Sequence, residues 1–156
     1  MSTDLTLQIN STNSDDTERL GERLGARLKG GEVLVLSSDL GGGKTTLTRG
    51  IAKGAGSNDG VASPTFTISR IYSAPKFEIH HFDFYRLNEP GIITHELNEV
   101  MHDTNTVVII EWADIVREAL PKEHCLVTIT QTGDDTREIT VTLPESLAYL
   151  TKGLDK

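Results

Sequence analysis

Three consecutive glycines, Gly41, Gly42 and Gly43, run directly into Lys44, Thr45 and Thr46, the densest concentration of chemistry in this sequence. A triphosphate needs several hydrogen-bond donors aimed at closely spaced oxygens, and glycines let the backbone curl so that successive N–H groups point inward. The stretch Asp39, Leu40, Gly41, Gly42, Gly43, Lys44, Thr45 and Thr46 therefore reads as a phosphate-binding loop. A helix starting at its end adds the positive end of its dipole. Lys44 can reach the outer phosphates, and the Thr45 hydroxyl can ligate magnesium. The usual pattern opens with a glycine six residues before the lysine, where this chain has Ser38.

Such a loop also needs an acid that completes the magnesium sphere, directly or through water, usually at the end of a buried apolar strand. Two positions qualify. Glu111 follows the run Val107, Val108, Ile109 and Ile110, and Asp83 ends the strand that carries His81. Glu111 is preferred as the metal ligand, with Asp83 orienting the attacking water or a metal-bound water, and the two roles can exchange. Thr65, within Ser63–Pro64–Thr65–Phe66, lies where nucleotide switches carry a threonine that senses the terminal phosphate and metal. Guanine recognition usually needs Asn-Lys-x-Asp, which does not occur here. ATP with magnesium is the expected ligand. His80 and His81 fall on opposite sides of a strand, so they are expected to pack rather than share a metal. Trp112 can cover a ligand, anchor a partner or fill the core. Cys125 is expected to be buried and inert.

The elements that must hold these residues follow from periodicity. Leu5, Leu7 and Ile9 alternate as in a half-buried strand. Leu20, Leu24 and Leu28 mark one face of a helix with Asp15 and Glu18 as a capping pair and Gly30–Gly31 as its stop. Residues 32–36 read as a buried strand, and 45–53 as a helix ended by Gly54 and Gly56, giving the order strand, glycine loop, helix. Residues 66–72 and 76–83 predict a hairpin across Ser73–Ala74–Pro75. Residues 106–110 predict a second buried strand, and 114–120 a short helix stopped by Pro121. Residues 126–130 and 138–143 predict a closing hairpin around Gly133–Asp134–Asp135, with a short helix or tail at 147–150. The fold expected is α/β, a P-loop NTPase-like three-layer sandwich with a central mixed sheet and helices on both faces. Residues 1–156 are expected to form a single domain.

Composition bounds the role. With 37% hydrophobic and 24% charged residues the chain is neither a disordered polymer nor a membrane protein. Residues 1–10 lack the basic start and apolar core of a secretory signal, and one cysteine allows no intrachain disulfide. A cytoplasmic setting is expected. The net charge of −8 argues against a broad basic face that would grip DNA or RNA, and favours an indirect role through a partner that holds the nucleic acid.

Four motifs stand in one order: SDLGGGKTTLTRG at 38–50, SPTF at 63–66, HFDFYRL at 81–87 and IIEW at 109–112. Together they resemble the TsaE family, bacterial ATPases of tRNA threonylcarbamoyladenosine synthesis, over roughly residues 15–115. The resemblance implies an ATPase supporting N6-threonylcarbamoylation of adenosine 37 in tRNAs that read codons starting with A. It implies docking on a TsaD–TsaB complex, in which TsaD performs the transfer and ATP hydrolysis resets the complex; tRNA is then met only indirectly. It assigns phosphate binding to Lys44 and the loop amides, magnesium to Thr45 and Glu111, and hydrolysis to Asp83. Thr65 and Trp112 fall in switch and partner-sensitive elements, and Thr17 becomes a neighbour of the adenine. The family pattern reads glycine at Ser38 and commonly alanine at Gly42. Two other readings compete: a small-molecule kinase, disfavoured because Arg70, Arg86, Arg117 and Arg137 are too scattered to form a lid, and a non-enzymatic nucleotide switch.

Overall fold

The computed structural model describes residues 4–38, 43–62, 69–85 and 91–154. Among them, seven strands form one sheet: β1 (Asp4–Ser11), β2 (Val33–Ser38), β3 (Ser69–Ser73), β4 (Glu78–Asp83), β5 (Thr106–Glu111), β6 (Cys125–Gln131) and β7 (Arg137–Pro144), in the spatial order β1-β7-β6-β2-β5-β4-β3. The middle strands β6, β2, β5 and β4 run parallel, while β3 and β7 pair antiparallel with their neighbours and β1 turns back again on β7. This is the mixed sheet expected, with both expected hairpins in it.

The central strands are valine and isoleucine rich because both of their faces are covered. On the first face, α1 (Ser14–Ala26), α2 (Lys44–Gly54) and the 3-10 helix Glu145–Thr151 pack over Leu34, Leu36, Ile109 and Val127. On the second, α3 (Gly91–Met101) and the 3-10 helix Ala113–Ala119 cover Val33, Phe82, Val108 and Ile110. The three-layer α/β arrangement is therefore as expected. Leu20, Leu24 and Leu28 are buried in the first layer. Beyond β2 the second face turns polar: Thr128, Thr140 and Thr142 occupy it and are only partly covered.

Three local readings need correction. The α1 cap is Asn13, whose side chain accepts from the Asp16 amide at 2.8 Å, while Asp16 accepts from the Thr12 amide at 3.0 Å. The capping pair thus lies two residues before Asp15 and Glu18, because an Ncap side chain reaches the N–H of N2 or N3 and Asp16 is N3. The helix α1 ends at Ala26 with Arg27 as its C-cap, so Leu28 lies beyond it and the stop precedes Gly30–Gly31, whereas Gly54 does close α2 as expected. The helix α3 lies outside the expected elements: residues 91–94 start with glycine and β-branched residues, which weakens the helical signal, although Ile93, Leu97 and Met101 recur every fourth residue.

The helices α1 and α2 lie parallel and unusually close. A Cβ on Gly21 would stand 2.4 Å from the Leu47 carbonyl oxygen, and one on Gly50 would stand 2.1 Å from that of Glu18. Gly25 and Gly54 repeat the contact one turn on, against Ile51 and Glu22. Only glycine lets two helix backbones meet like this. The approach brings the start of α1 beside the start of α2, where the glycine loop ends.

Candidate functional site

The site is built at the carboxyl ends of the parallel strands. Leu36 of β2 pairs with Glu111 of β5, and Glu111 pairs with Asp83 of β4, so the two acids stand side by side on the face that α2 covers. Both are nearly buried, at 3% exposure each. Asp83 Oδ1 accepts from the Tyr85 amide at 2.9 Å, and the Phe84 amide donates to the Glu111 carbonyl at 3.1 Å, which locks the two strand ends together.

Residues 39–42, which include Asp39, Leu40, Gly41 and Gly42, lie outside the described residues, as does Thr65. Ser38 is the last residue of β2, paired with Ile129, and so needs none of the conformational freedom of the glycine it replaces. Gly43, with φ of 107°, does need it and forms the N-cap of α2. Lys44 opens that helix and is 7% exposed; its Nζ donates to the Ser38 hydroxyl at 3.0 Å and the Ser38 carbonyl at 3.4 Å. The same Nζ stands 4.8 Å from the centre of the Trp112 ring, a cation–π contact. Thr45 and Thr46 follow in the first turn of α2.

Trp112 has φ of 58° and ψ of 55°, the one non-glycine residue among the described ones with positive φ. A bulky side chain there is strained, and such strain is typical of functional sites. The turn throws the indole out of the strand path, where the Tyr85 ring meets it at 5.0 Å between centroids. A cavity of about 530 Å³ lies beside it, lined among others by Val35, Ser38, Lys44, Trp112, Arg117 and Leu126.

Behind the acids is a hydrogen-bonded chain that sequence reading missed. His81 Nε2 lies 2.5 Å from Glu111 Oε2, and its Nδ1 lies 3.1 Å from the Tyr72 hydroxyl oxygen, whose one proton is donated to the Ala62 carbonyl at 3.0 Å. Burial pushes the Tyr72 phenol above its ordinary value despite the opposing pull of the Ala62 bond and Arg70, so it stays a proton donor at neutral pH. His80 and His81 do face opposite ways, as expected. The available signal was the placement of His81 two residues before Asp83, on the same strand face; its contact with a residue thirty positions away is a property of the sheet register. Cys125 is buried in β6 with its thiol pushed up to about 12 by burial, the inert cysteine expected.

Thr17 stands in the first turns of α1, buried, its hydroxyl 2.7 Å from that of Ser11. Because β1 runs the same way as β2, this is the end of the sheet where the glycine loop leaves. Lys44, Asp83, Glu111 and Thr17 therefore share one edge of the molecule.

Known proteins resemble the chain across this whole region. The family model described as threonylcarbamoyl adenosine biosynthesis protein TsaE matches residues 11–139. The tRNA threonylcarbamoyladenosine biosynthesis protein TsaE of Bacillus subtilis (strain 168) is 39% identical over 136 residues, covering 87% of this chain and 85% of its own length. The protein of the same description from Streptomyces coelicolor is 35% identical over 129 residues, 79% of this chain and 87% of its own. The crystal structure of Bacillus subtilis YdiB superposes with a TM-score of 0.78 at 35% identity, covering 99% of this chain and 95% of that one. The match encloses Lys44, Asp83 and Glu111, and the chain belongs to the TsaE family of tRNA threonylcarbamoyladenosine biosynthesis proteins.

Proposed function

We propose that the protein binds ATP with magnesium at residues 39–46 and hydrolyses it, weakly alone and faster on a TsaD–TsaB complex, in support of threonylcarbamoylation of adenosine 37. The observation that carries this reading is the in-register pair of Asp83 and Glu111, with Glu111 on the strand next to the one that leads through the glycine loop to Lys44 and Asp83 on the strand beyond it. Among the described residues no group of three or more His, Cys, Asp or Glu side chains is arranged to hold a metal on its own. Two carboxylates and the Thr45 hydroxyl are a hard-oxygen set suited to magnesium, which is usually held by one or two carboxylates together with phosphates and water. When bound, the ion would supply neutralisation of charge on the outer phosphates.

The chain's own residues supply the rest. Lys44 moves from its contacts with Ser38 and Trp112 to the phosphates, aided by the positive end of α2. Glu111 and Thr45 hold magnesium, and Asp83, fixed by the Tyr85 amide, orients the attacking water. Thr65 senses the terminal phosphate, the loop amides of 39–43 cradle the rest, and Thr17 borders the adenine. Lys122 lines the cavity that adjoins Lys44 and adds positive charge to it, while Arg117 is paired there with Asp114 at 2.9 Å. The proposed setting is the cytoplasm, and no helix among the described residues is long and apolar enough to cross a membrane.

The test is ATP hydrolysis with and without TsaD–TsaB, together with partner affinity in ATP and in ADP. Stimulation by the partners is expected. Lys44→Ala should lower turnover by roughly 100-fold or more, the scale for losing a charge-stabilising donor. Hydrolysis unchanged by the partners, or by the lysine substitution, would remove this reading.

A further inference from the structure

Glu111 is gripped from behind. Tyr72, His81 and Glu111 lie on the adjacent strands β3, β4 and β5, on one sheet face, each at 3% exposure or less. Tyr72 pairs with Ile79, so His81 is one diagonal step onward; His81 pairs with Ile109, so Glu111 is one more. Long side chains can span such diagonals. The imidazole does so here, with Nε2 at 2.5 Å from Glu111 Oε2 and Nδ1 at 3.1 Å from the Tyr72 hydroxyl.

A carboxylate has two oxygens, and rotation about its last bond exchanges them. A donor on Oε2 stops that exchange and commits one oxygen to the protein, which leaves the other for a ligand in a set direction. The Tyr72 hydroxyl holds the far side of the ring, and its own bond to the Ala62 carbonyl holds the hydroxyl. We infer that His81 is a positioning residue for Glu111, presetting its carboxylate to receive magnesium or a magnesium-bound water. The inference rests on the proposed role of Glu111. Its bland competitor is that the buried histidine only fills space and satisfies its own nitrogens.

Two substitutions separate these. The amide nitrogen of glutamine reaches near the place of Nε2, whereas that of asparagine reaches only near Nδ1. In His81→Asn the magnesium concentration for half-maximal Mg·ATP binding should rise roughly 10- to 100-fold, the usual cost of losing a residue that orients a ligand. His81→Gln should recover most of that loss, and ATP affinity measured in EDTA should stay within about twofold in both, because the phosphate contacts of Lys44 are untouched. Tyr72→Phe, which keeps the packing, should give a smaller shift of the same sign. The metal-free protein offers an independent readout: a downfield, slowly exchanging imidazole N–H proton, absent in His81→Asn and displaced in Glu111→Ala. Wild-type magnesium dependence in His81→Asn, or a glutamine variant as impaired as the asparagine one, would overturn the positioning role. If Glu111→Ala itself leaves magnesium dependence unchanged, the fault lies instead with the proposed role of Glu111.

Discussion

Lys44 is held by three groups of different chemistry: the Ser38 hydroxyl, the Ser38 carbonyl and the face of Trp112. The types and spacing of Gly43, Lys44 and Thr45 are enough to suggest phosphate chemistry, and an acid closing an apolar run is enough to single out Glu111 and Asp83. A through-space contact such as Ser38 to Lys44, or His81 to Glu111, needs the fold. Ser38 stands where the usual motif has glycine; as the extended end of β2 it fits without glycine and gives the lysine an acceptor. Trp112 is the one tryptophan in the chain, so its emission reports on this spot alone. Adding Mg·ATP should change that emission as the ammonium leaves the indole, and Lys44→Ala should abolish the change. An identical response in the variant would show that the lysine does not move between these partners. Asp83→Asn should leave nucleotide affinity within a few-fold of wild type while lowering hydrolysis on the order of 100-fold, as for loss of a group that directs water. Equal losses of binding and hydrolysis would erase the division of labour between the two acids.

The helix pair α1 and α2 sets where the glycine loop ends, and its spacing depends on side chains that are missing. Gly50→Ala would place a methyl 2.1 Å from the Glu18 carbonyl oxygen, a backbone atom that cannot turn aside. Overpacking of this kind costs about 1–3 kcal/mol, more than the gain of up to ~1 kcal/mol from alanine's better helix propensity. The denaturant midpoint should therefore fall, and an unchanged midpoint would mean that the helices separate at no cost. The start of α1 carries its own pH signature. Hydrogen bonds from the Thr12 hydroxyl and amide, with help from Arg19, lower the Asp16 carboxyl from 3.8 to about 2. Its stabilisation is complete above about pH 4 and is lost as pH falls toward 2. The midpoint difference between wild type and Asp16→Asn should hold constant above pH 4 and shrink below it. Most strands, and the order strand, loop, helix, were legible because buried strands are continuous apolar runs and glycines punctuate them. Two things were not. The helix α3 begins in residues of weak helix propensity, and the glycines of α1 and α2 act through contact with another helix, which a single segment does not reveal.

At the scale of the molecule, the acidic surface and the phosphate site point different ways. A net charge of −8 repels a tRNA backbone, while Lys44 and the start of α2 attract a small polyphosphate. Under the proposed function, this charge suits a role on the machinery that holds the tRNA rather than on the tRNA itself. Tyr85, half uncovered, meets Trp112 at a tilt, and Trp112 is itself in contact with Lys44, so under the proposed function a change at the phosphate site would reach the surface here. This arrangement separates two measurements. The isolated protein should show no salt-sensitive binding of tRNA, whereas tRNA from cells depleted of it should lose threonylcarbamoyladenosine when its nucleosides are measured by mass spectrometry. Wild-type protein supplied in trans should restore the modification, and Lys44→Ala, folded and present at equal level, should not. Normal modification in depleted cells would break the link to tRNA. Rescue by the lysine variant would keep that link but take nucleotide turnover out of it, leaving the protein a binding partner whose phosphate site serves some other end.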